Sequence, residues 1–337
     1  MKAAEVSIIL PAFNAENFIC DSIESILDQS FKSFELIIVD DGSIDSTLQK
    51  IRSFKDHRIL IIENKHNIGI SKSINKAIDI SCGKYIARID SDDLMIKNRI
   101  ELQYKFLEEF PEIGVVGSAI ELFGNTIINR IHTYPSQNSS IKSLIIFENP
   151  LAHPSVMYRR DLILRIGGYS EDYPYIEDWE LWYRLSKITN FHNLSDVLIK
   201  YRIHNKSVSQ AHTVLQEVSK LKLIKLMFDD YNLPFNSKFF KGNFRFSYKN
   251  LESYYFWLLK LKEHNKKEKR LNVFAFNEIL NNIFLNFLYR ADKDLIKVIT
   301  FYLNSQLRRS SRKYKILGAL VIVYRYIINK KLAFLRT

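Results

Sequence analysis

Short β-branched runs alternate with amphipathic stretches through the first half of the chain, the pattern of a largely parallel sheet covered by helices. The first run is VSIIL, Val6 to Leu10. Ile19, Cys20, Ile23, Ile26 and Leu27 then recur at helical spacing, and ELIIVD, Glu35 to Asp40, reads as the next strand. A second helix is expected to start near Asp45. RILIIE (Arg58 to Glu63) leads into a helix with Ile70, Ile74, Ala77 and Ile78 on one face, and KYIARI (Lys84 to Ile89) returns to the sheet. A helix with Ile100, Phe106 and Leu107 and a strand near Val115 to Ile120 follow, then a more irregular middle ending around residue 210. From Thr213 the alternation gives way to helical spacing, Asn/Lys-rich interruptions and aromatics such as Tyr254, Phe256 and Trp257. A boundary is therefore expected near residue 210.

A chain of 337 residues with 47% hydrophobic and 26% charged residues is long enough for one large core, or a core plus a smaller unit. Cys20 and Cys82 fit no metal-ligand spacing and both fall among apolar residues, so buried thiols in a reducing compartment are expected. MKAAEVSIIL runs directly into a strand without the pattern of a signal peptide, which predicts a location on the cytoplasmic side. The late apolar run from Ile316 to Tyr324 is broken at Arg325 and is shorter than the roughly 20 residues a bilayer needs, so no transmembrane helix is expected. The net charge of +12 is unevenly placed: residues 1 to 200 hold 22 Lys/Arg against 28 Asp/Glu, and residues 201 to 337 hold 27 against 9. A basic, aromatic-rich tail implies an anionic partner, either a membrane surface or nucleic acid, or else a solvated basic face.

An α/β sheet binds its ligand outside the carboxyl ends of its strands. Here those ends are polar: Pro11-Ala12-Phe13-Asn14, Asp40-Asp41-Gly42-Ser43 and Asp90-Ser91-Asp92-Asp93. Three such clusters on one edge imply one site. No G-x-G-x-x-G follows the first strand and no G-x-x-x-x-G-K-[ST] occurs, which argues against hydride transfer and P-loop chemistry. Asp90 and Asp92, at i and i+2 of an extended segment, project to the same side and would share Mg²⁺ or Mn²⁺. Leu94 and Met95 exclude an EF-hand, and helix capping is the plain alternative for such acids.

VSIILPAFNAENF, ELIIVDDGSIDST, NIGISKSINKAI, GKYIARIDSDD and YIEDWELWYRL, in that order across about residues 5 to 210, resemble the blocks of glycosyltransferase family 2. The resemblance implies an α/β fold of the GT-A type, a Rossmann-like mixed sheet flanked by helices, with a mainly helical extension. Residues 1–210 would form the catalytic domain, with a nucleotide-sugar half of about 1–95 and an acceptor half of about 96–210. Residues 211–337 would be a basic helical region associated with membrane or acceptor. By the same resemblance Pro11, Phe13 and Glu16 would line the nucleotide pocket, Asp41 would hydrogen-bond the base and favour uracil, and Lys72 would face the base or the diphosphate. Asp92 would be the principal metal ligand and Asp90 would contact the ribose or the metal's shell. Asp178 matches the family position of the base that deprotonates the acceptor. Arg202 and His204, in YRIHNKSVS, would reach the diphosphate and the metal. Each has a plain counterpart: Phe13 in the core, Asp41 as a turn-former, Lys72 on a helix surface, and Glu177 and Asp178 favouring a helix N-terminus.

The function implied is inverting transfer of a hexose (glucose, galactose or an N-acetylated hexosamine) from a UDP-sugar to a saccharide hydroxyl. The acceptor would be undecaprenyl diphosphate-linked, in O-antigen or capsule synthesis, and the enzyme peripheral on the inner face of the membrane. A nucleotidyltransferase making nucleotide sugars would be expected to carry a Gly-rich basic loop, and PAFNAENF has neither glycine nor arginine. A nucleic-acid-binding protein is disfavoured by the acidic first part and the lack of a recognised motif.

Overall fold

The computed structural model describes residues 4–124, 130–204, 213–240 and 248–290. The chain divides into two compact units, residues 1–223 and 224–337. The first unit opens with β1 (Val6–Ala12), α1 (Ile19–Leu27), β2 (Phe34–Asp40), α2 (Thr47–Ser53), β3 (Ile59–Glu63), α3 (Ile70–Ile80) and β4 (Tyr85–Arg88). Every residue of β1 and β2 is buried, which is why both read as near-continuous apolar runs: a parallel strand covered on both faces has no solvent side to mark. β5 (Leu94–Met95), α4 (Arg99–Glu109), β6 (Ile113–Phe123), β7 (Arg130–His132), α5 (Asn138–Leu144), β8 (Met157–Arg159), α6 (Arg160–Arg165), α7 (Glu177–Ser186) and β9 (Asn190–Arg202) complete it.

The strands form one mixed sheet in the order β3-β2-β1-β4-β8-β6-β9-β5, with β7 paired to β6. β3, β2, β1 and β4 are parallel, β8 runs antiparallel to β4 and β6, and β9 is parallel to β6. Ile8, Leu10, Leu36, Ile38 and Ala87 pack with Ile19, Ile23 and Ile26 of α1 and Ile100 and Leu107 of α4 in one core. The parallel register sets Ala12 beside Asp40, so the polar ends of the first strands emerge side by side.

The mixed sheet flanked by helices agrees with the expected fold class. Two expectations change. The middle is not irregular: it contains β9, whose 13 residues carry Phe191, Leu198 and Ile199 inward but break the period of two. Register shifts between Ser118 and Ala119 and between Ala119 and Ile120 of β6, opposite Leu194 to Ile199, account for the break. Cys82 is exposed rather than buried, because it lies in the turn between α3 and β4 beside the half-exposed Ile80; Cys20 is partly buried.

α8 (Thr213–Asp230) spans the division between the units, and α9 (Tyr248–Glu268) and α10 (Val273–Arg290) belong to the second. In that unit Tyr254 stacks on Phe287 with centroids 4.5 Å apart, and the Trp257 indole donates to Pro234 O at 2.7 Å. Tyr254 and Trp257 are thus core residues, whereas Phe256 is exposed. The run Ile316–Tyr324 and residues 205–209 of YRIHNKSVS lie outside the described residues. Among the described residues no helix is long and apolar enough to cross a membrane.

Gly83 shows how tightly the strands are set. A Cβ there would lie 2.5 Å from the Ser7 amide nitrogen and 2.8 Å from the Ser7 hydroxyl. Gly83→Ala should lower stability by about 1–3 kcal/mol, read as a reduced urea midpoint by circular dichroism, and an unchanged midpoint would refute the close approach.

Candidate active site

The loops after β1 and β2 interlock. Asn14, in the left-handed region at φ 49°, receives a hydrogen bond from Ile44 N at its side-chain oxygen, and its own amide donates to Ser43 Oγ, both at 3.0 Å. Ala15 N donates to Thr47 Oγ1 at 2.7 Å, and Ser46 N donates to Glu16 Oε2 at 3.1 Å. Gly42, at φ +74°, is required where it stands, because a Cβ would meet the His66 backbone at 2.6 Å. Pro11 is buried in β1, while Phe13 is 46% exposed, so its ring lies at the surface rather than in the core.

Asp41 is buried and organises the entry to α3. Its Oδ1 accepts from Asn64 Nδ2 and Ile68 N, both at 2.9 Å, and Oδ2 accepts from Gly69 N at 3.0 Å. Lys72, in the first turn of α3, pairs with Glu171 at 3.0 Å, both side chains being exposed. Asn75 fastens the same helix to the Gly167–Tyr169 turn by accepting from Tyr169 N at 2.8 Å and donating to Tyr169 O at 2.9 Å.

After β4 the chain turns through Asp90-Ser91-Asp92-Asp93, and carboxylate oxygens of Asp90, Asp92 and Asp93 all lie within 4.8 Å of one another. The turn is held from two sides. Ser22 Oγ of α1 lies 2.9 Å from Ser91 O and 2.8 Å from Asp93 O. Arg202, at the end of β9, donates its amide to Asp93 Oδ1 at 2.8 Å and Nε to Asp92 O at 2.7 Å. Its guanidinium is sandwiched between Phe18 and Phe123 at 4.8 and 4.6 Å. His204 Nε2 is 2.9 Å from Asp92 Oδ2. Asp90 pairs with Arg88, a guanidinium only 1% exposed.

These residues fit a divalent cation. Burial, followed by the charge of Asp90, raises the proton affinity of Asp92 and raises that of Asp93 strongly. Buried Asp93 Oδ2 has no hydrogen-bond partner among the described residues. Hard carboxylate oxygens crowded this way suit Mn²⁺ or Mg²⁺, and Asp90 and Asp92 are the more accessible two, with His204 adjoining.

Asp178 lies in the first turn of α7, where backbone amides favour negative charge. Its Oδ1 accepts from Trp179 N at 2.7 Å and its Oδ2 from Asn149 Nδ2 at 2.6 Å. Burial raises its proton affinity, and the two hydrogen bonds and Arg88 oppose the rise. The charge of Asp90 adds to the rise. Sequence reasoning missed Ser22, Arg88 and Asn149. Arg88 carried a usable signal, a cation inside the strand KYIARI, whereas Ser22 and Asn149 carried none.

The family profile described as Glycosyl transferase family 2 matches residues 7–166. The chain is 33% identical over 236 residues to an uncharacterized glycosyltransferase of Haemophilus influenzae, an alignment covering 65% of this chain and 71% of that protein. It is 32% identical over 234 residues to putative glycosyltransferase EpsE of Bacillus subtilis (65% and 84% covered). It is also 33% identical over 226 residues to O-antigen biosynthesis glycosyltransferase WbnJ of Escherichia coli (65% and 87%). Among solved structures, S. aureus TarS 1-349 in complex with UDP-GlcNAc aligns with TM-score 0.58 at 17% identity, over 96% of this chain and 92% of that one. Mannosyltransferase PcManGT from Pyrobaculum calidifontis, in complex with GDP-Man and Mn²⁺, aligns with TM-score 0.54 at 15% identity, over 96% and 86%. The mixed sheet flanked by helices is of GT-A type. The chain belongs to glycosyltransferase family 2 and is a glycosyltransferase.

Glu177, 7% exposed and with Oε2 unpartnered among the described residues, is pushed from the ordinary 4.5 to about 7 by burial and by Asp178. An acid whose folded value is raised contributes no penalty below pH 4.5 and a growing one as pH rises to 7. Glu177→Gln should match wild type in urea unfolding at pH 4 and be more stable by on the order of 2–3 kcal/mol at pH 8. A difference independent of pH would contradict the buried charge.

Proposed function

We propose that the protein is an inverting transferase that moves a hexose from a UDP-sugar to a hydroxyl of a saccharide acceptor. The observation that carries the reading is the cluster of Asp90, Asp92 and Asp93 carboxylate oxygens within 4.8 Å of one another just after β4. Pro11, Phe13, Glu16 and Asp41 line the side on which the base of the nucleotide would sit. Asp41, which accepts three hydrogen bonds among the described residues, would accept a fourth from the ring N–H of uracil and so favour that base. Lys72 and Arg202 supply positive charge toward the diphosphate, and Lys72 would exchange Glu171 for it. Asp92, Asp90 and His204 would hold the divalent cation, which supplies charge neutralisation to the departing nucleoside diphosphate.

Asp178 is the base. It takes the acceptor hydroxyl proton as the acceptor oxygen bonds to the anomeric carbon, while the bond from that carbon to the diphosphate oxygen breaks and its electron pair leaves with UDP. One displacement from the opposite face inverts the carbon, and no covalent enzyme intermediate is needed. The test is UDP, GDP and dTDP sugars with Mn²⁺, with and without EDTA, in wild type and Asp178→Asn. We expect EDTA-sensitive engagement of one UDP-sugar, and in the variant retained donor binding with transfer reduced about 10²–10⁴-fold. Wild-type transfer by Asp178→Asn would remove the base assignment, and preference for GDP-mannose would remove the uracil assignment.

Similarity to the O-antigen biosynthesis glycosyltransferase of Escherichia coli and to an amylovoran biosynthesis glycosyltransferase of Erwinia amylovora supports a role in surface polysaccharide synthesis, O-antigen or capsule; the acceptor we propose is undecaprenyl diphosphate-linked. The basic excess of residues 201–337 supports peripheral binding at the inner face of the cytoplasmic membrane. The full chain should sediment with vesicles containing phosphatidylglycerol more than with neutral ones, and release with salt; equal sedimentation would dismiss the membrane association.

A further inference from the structure

We propose that Asn149 is a positioning residue of the transfer reaction, its side-chain amide fixing the Asp178 carboxylate toward the acceptor hydroxyl. The proposal rests on the reading of Asp178 as base. Two donors hold that carboxylate from opposite ends: Trp179 N on Oδ1 at 2.7 Å and Asn149 Nδ2 on Oδ2 at 2.6 Å. The orientation of the Asn149 amide is itself determined, because its Oδ1 accepts from Leu151 N at 3.3 Å, which turns the NH₂ to the carboxylate.

The loop that carries Asn149 is anchored independently of Asp178. Trp179 Nε1 donates to Ile145 O at 2.7 Å, tying the start of the loop to α7. Asn193, 1% exposed on β9, donates Nδ2 to Pro150 O at 3.1 Å and Pro135 O at 2.8 Å. Gly117 on β6 makes room for it, since a Cβ there would lie 2.2 Å from Asn193 Oδ1. Pro150 also restricts the backbone of Asn149 to extended conformations, so less freedom remains to be lost. A chain of contacts thus runs from the sheet, through Gly117, Asn193 and Pro150, to the amide on Asp178.

A neutral donor suits this place chemically. It orients the oxygen without adding a charge that would abolish its basicity, whereas a lysine or arginine would. The other groups acting with Asp178 are Arg88 and Asp90 from β4 and its turn, Glu177 from α7, Tyr134 before α5, and Tyr169. Arg88 already provides a cation, and Asn149 adds direction.

The test is a carboxyl ¹³C titration of the full chain labelled at aspartate, with the Asp178 resonance assigned by its loss in Asp178→Asn. In Asn149→Ala and the near-isosteric Asn149→Leu, the Asp178 transition should move up by about one pH unit. UDP release from UDP-glucose, UDP-galactose or UDP-GlcNAc with Mn²⁺ should fall about tenfold or more, with the Kd for UDP unchanged. In the Asp178→Asn background, Asn149→Ala should cost nothing further. An unmoved transition in either folded variant overturns the proposal, as does a parallel loss of UDP affinity, which would mark a structural role. Full turnover by Asp178→Asn would instead overturn the base reading, while the titration would still report whether Asn149 holds the carboxylate.

Discussion

Arg88 sets a permanent positive charge inside the sheet, and the acidic arrangement around it depends on that charge. Its guanidinium is almost wholly buried, pairs with Asp90, and acts on Asp93, Glu177 and Asp178 together. The same charge, second to burial, keeps His153 neutral, so that its ring accepts or donates within a neutral contact to Tyr169 at 2.8 Å rather than competing as a cation. Removing one partner from such a buried set would leave uncompensated charges, which costs several kcal/mol. Arg88 is therefore better understood as the common counter-charge of these four acids than as half of an ion pair.

The elements legible in the sequence were those whose side chains obey one period. VSIIL and ELIIVD sit on strands buried on both faces, and the helix carrying Ile74, Ala77 and Ile78 buries that stripe. β9 was not legible, because its bulged register mixes His192, Ser195 and Asp196 with inward Phe191 and Leu198. The acidic turn and Asp178 were legible as residue types in a resembling order. How Arg202 is held was not. Its guanidinium lies between two rings, and it fastens the turn through Asp92 O and Asp93, contacts that a cation in a polar loop does not announce. Asn149 is invisible for the same reason: an Asn-Pro pair in a loop reads as a turn, and its partner is 29 residues away.

Most polar side chains near the strand ends bind protein rather than solvent. Asp41 holds the entry to α3, Asn14 and Thr47 lace two loops, and Ser22 and Arg202 grip the acidic turn. Groups fixed in this way lose little further entropy when a ligand arrives, which is the condition under which oriented dipoles contribute to transfer. Lys72 is an exception, held among the described residues by an exposed ion pair with Glu171. Exposed pairs contribute about 0–1 kcal/mol, so Lys72 is cheaply released.

Charge decides how the acidic turn would be filled. Three carboxylates with oxygens within 4.8 Å repel one another by about 3 kcal/mol per pair at an effective dielectric near 20. Arg88 relieves Asp90, the Arg202 amide relieves Asp93, and His204 adjoins Asp92. A nucleoside diphosphate would bring further negative charge to the same edge of the sheet. Protonation relieves the acids but does nothing for the diphosphate, whereas a divalent cation relieves both at once. Donor and cation should therefore bind cooperatively, each raising the affinity of the other by the same factor.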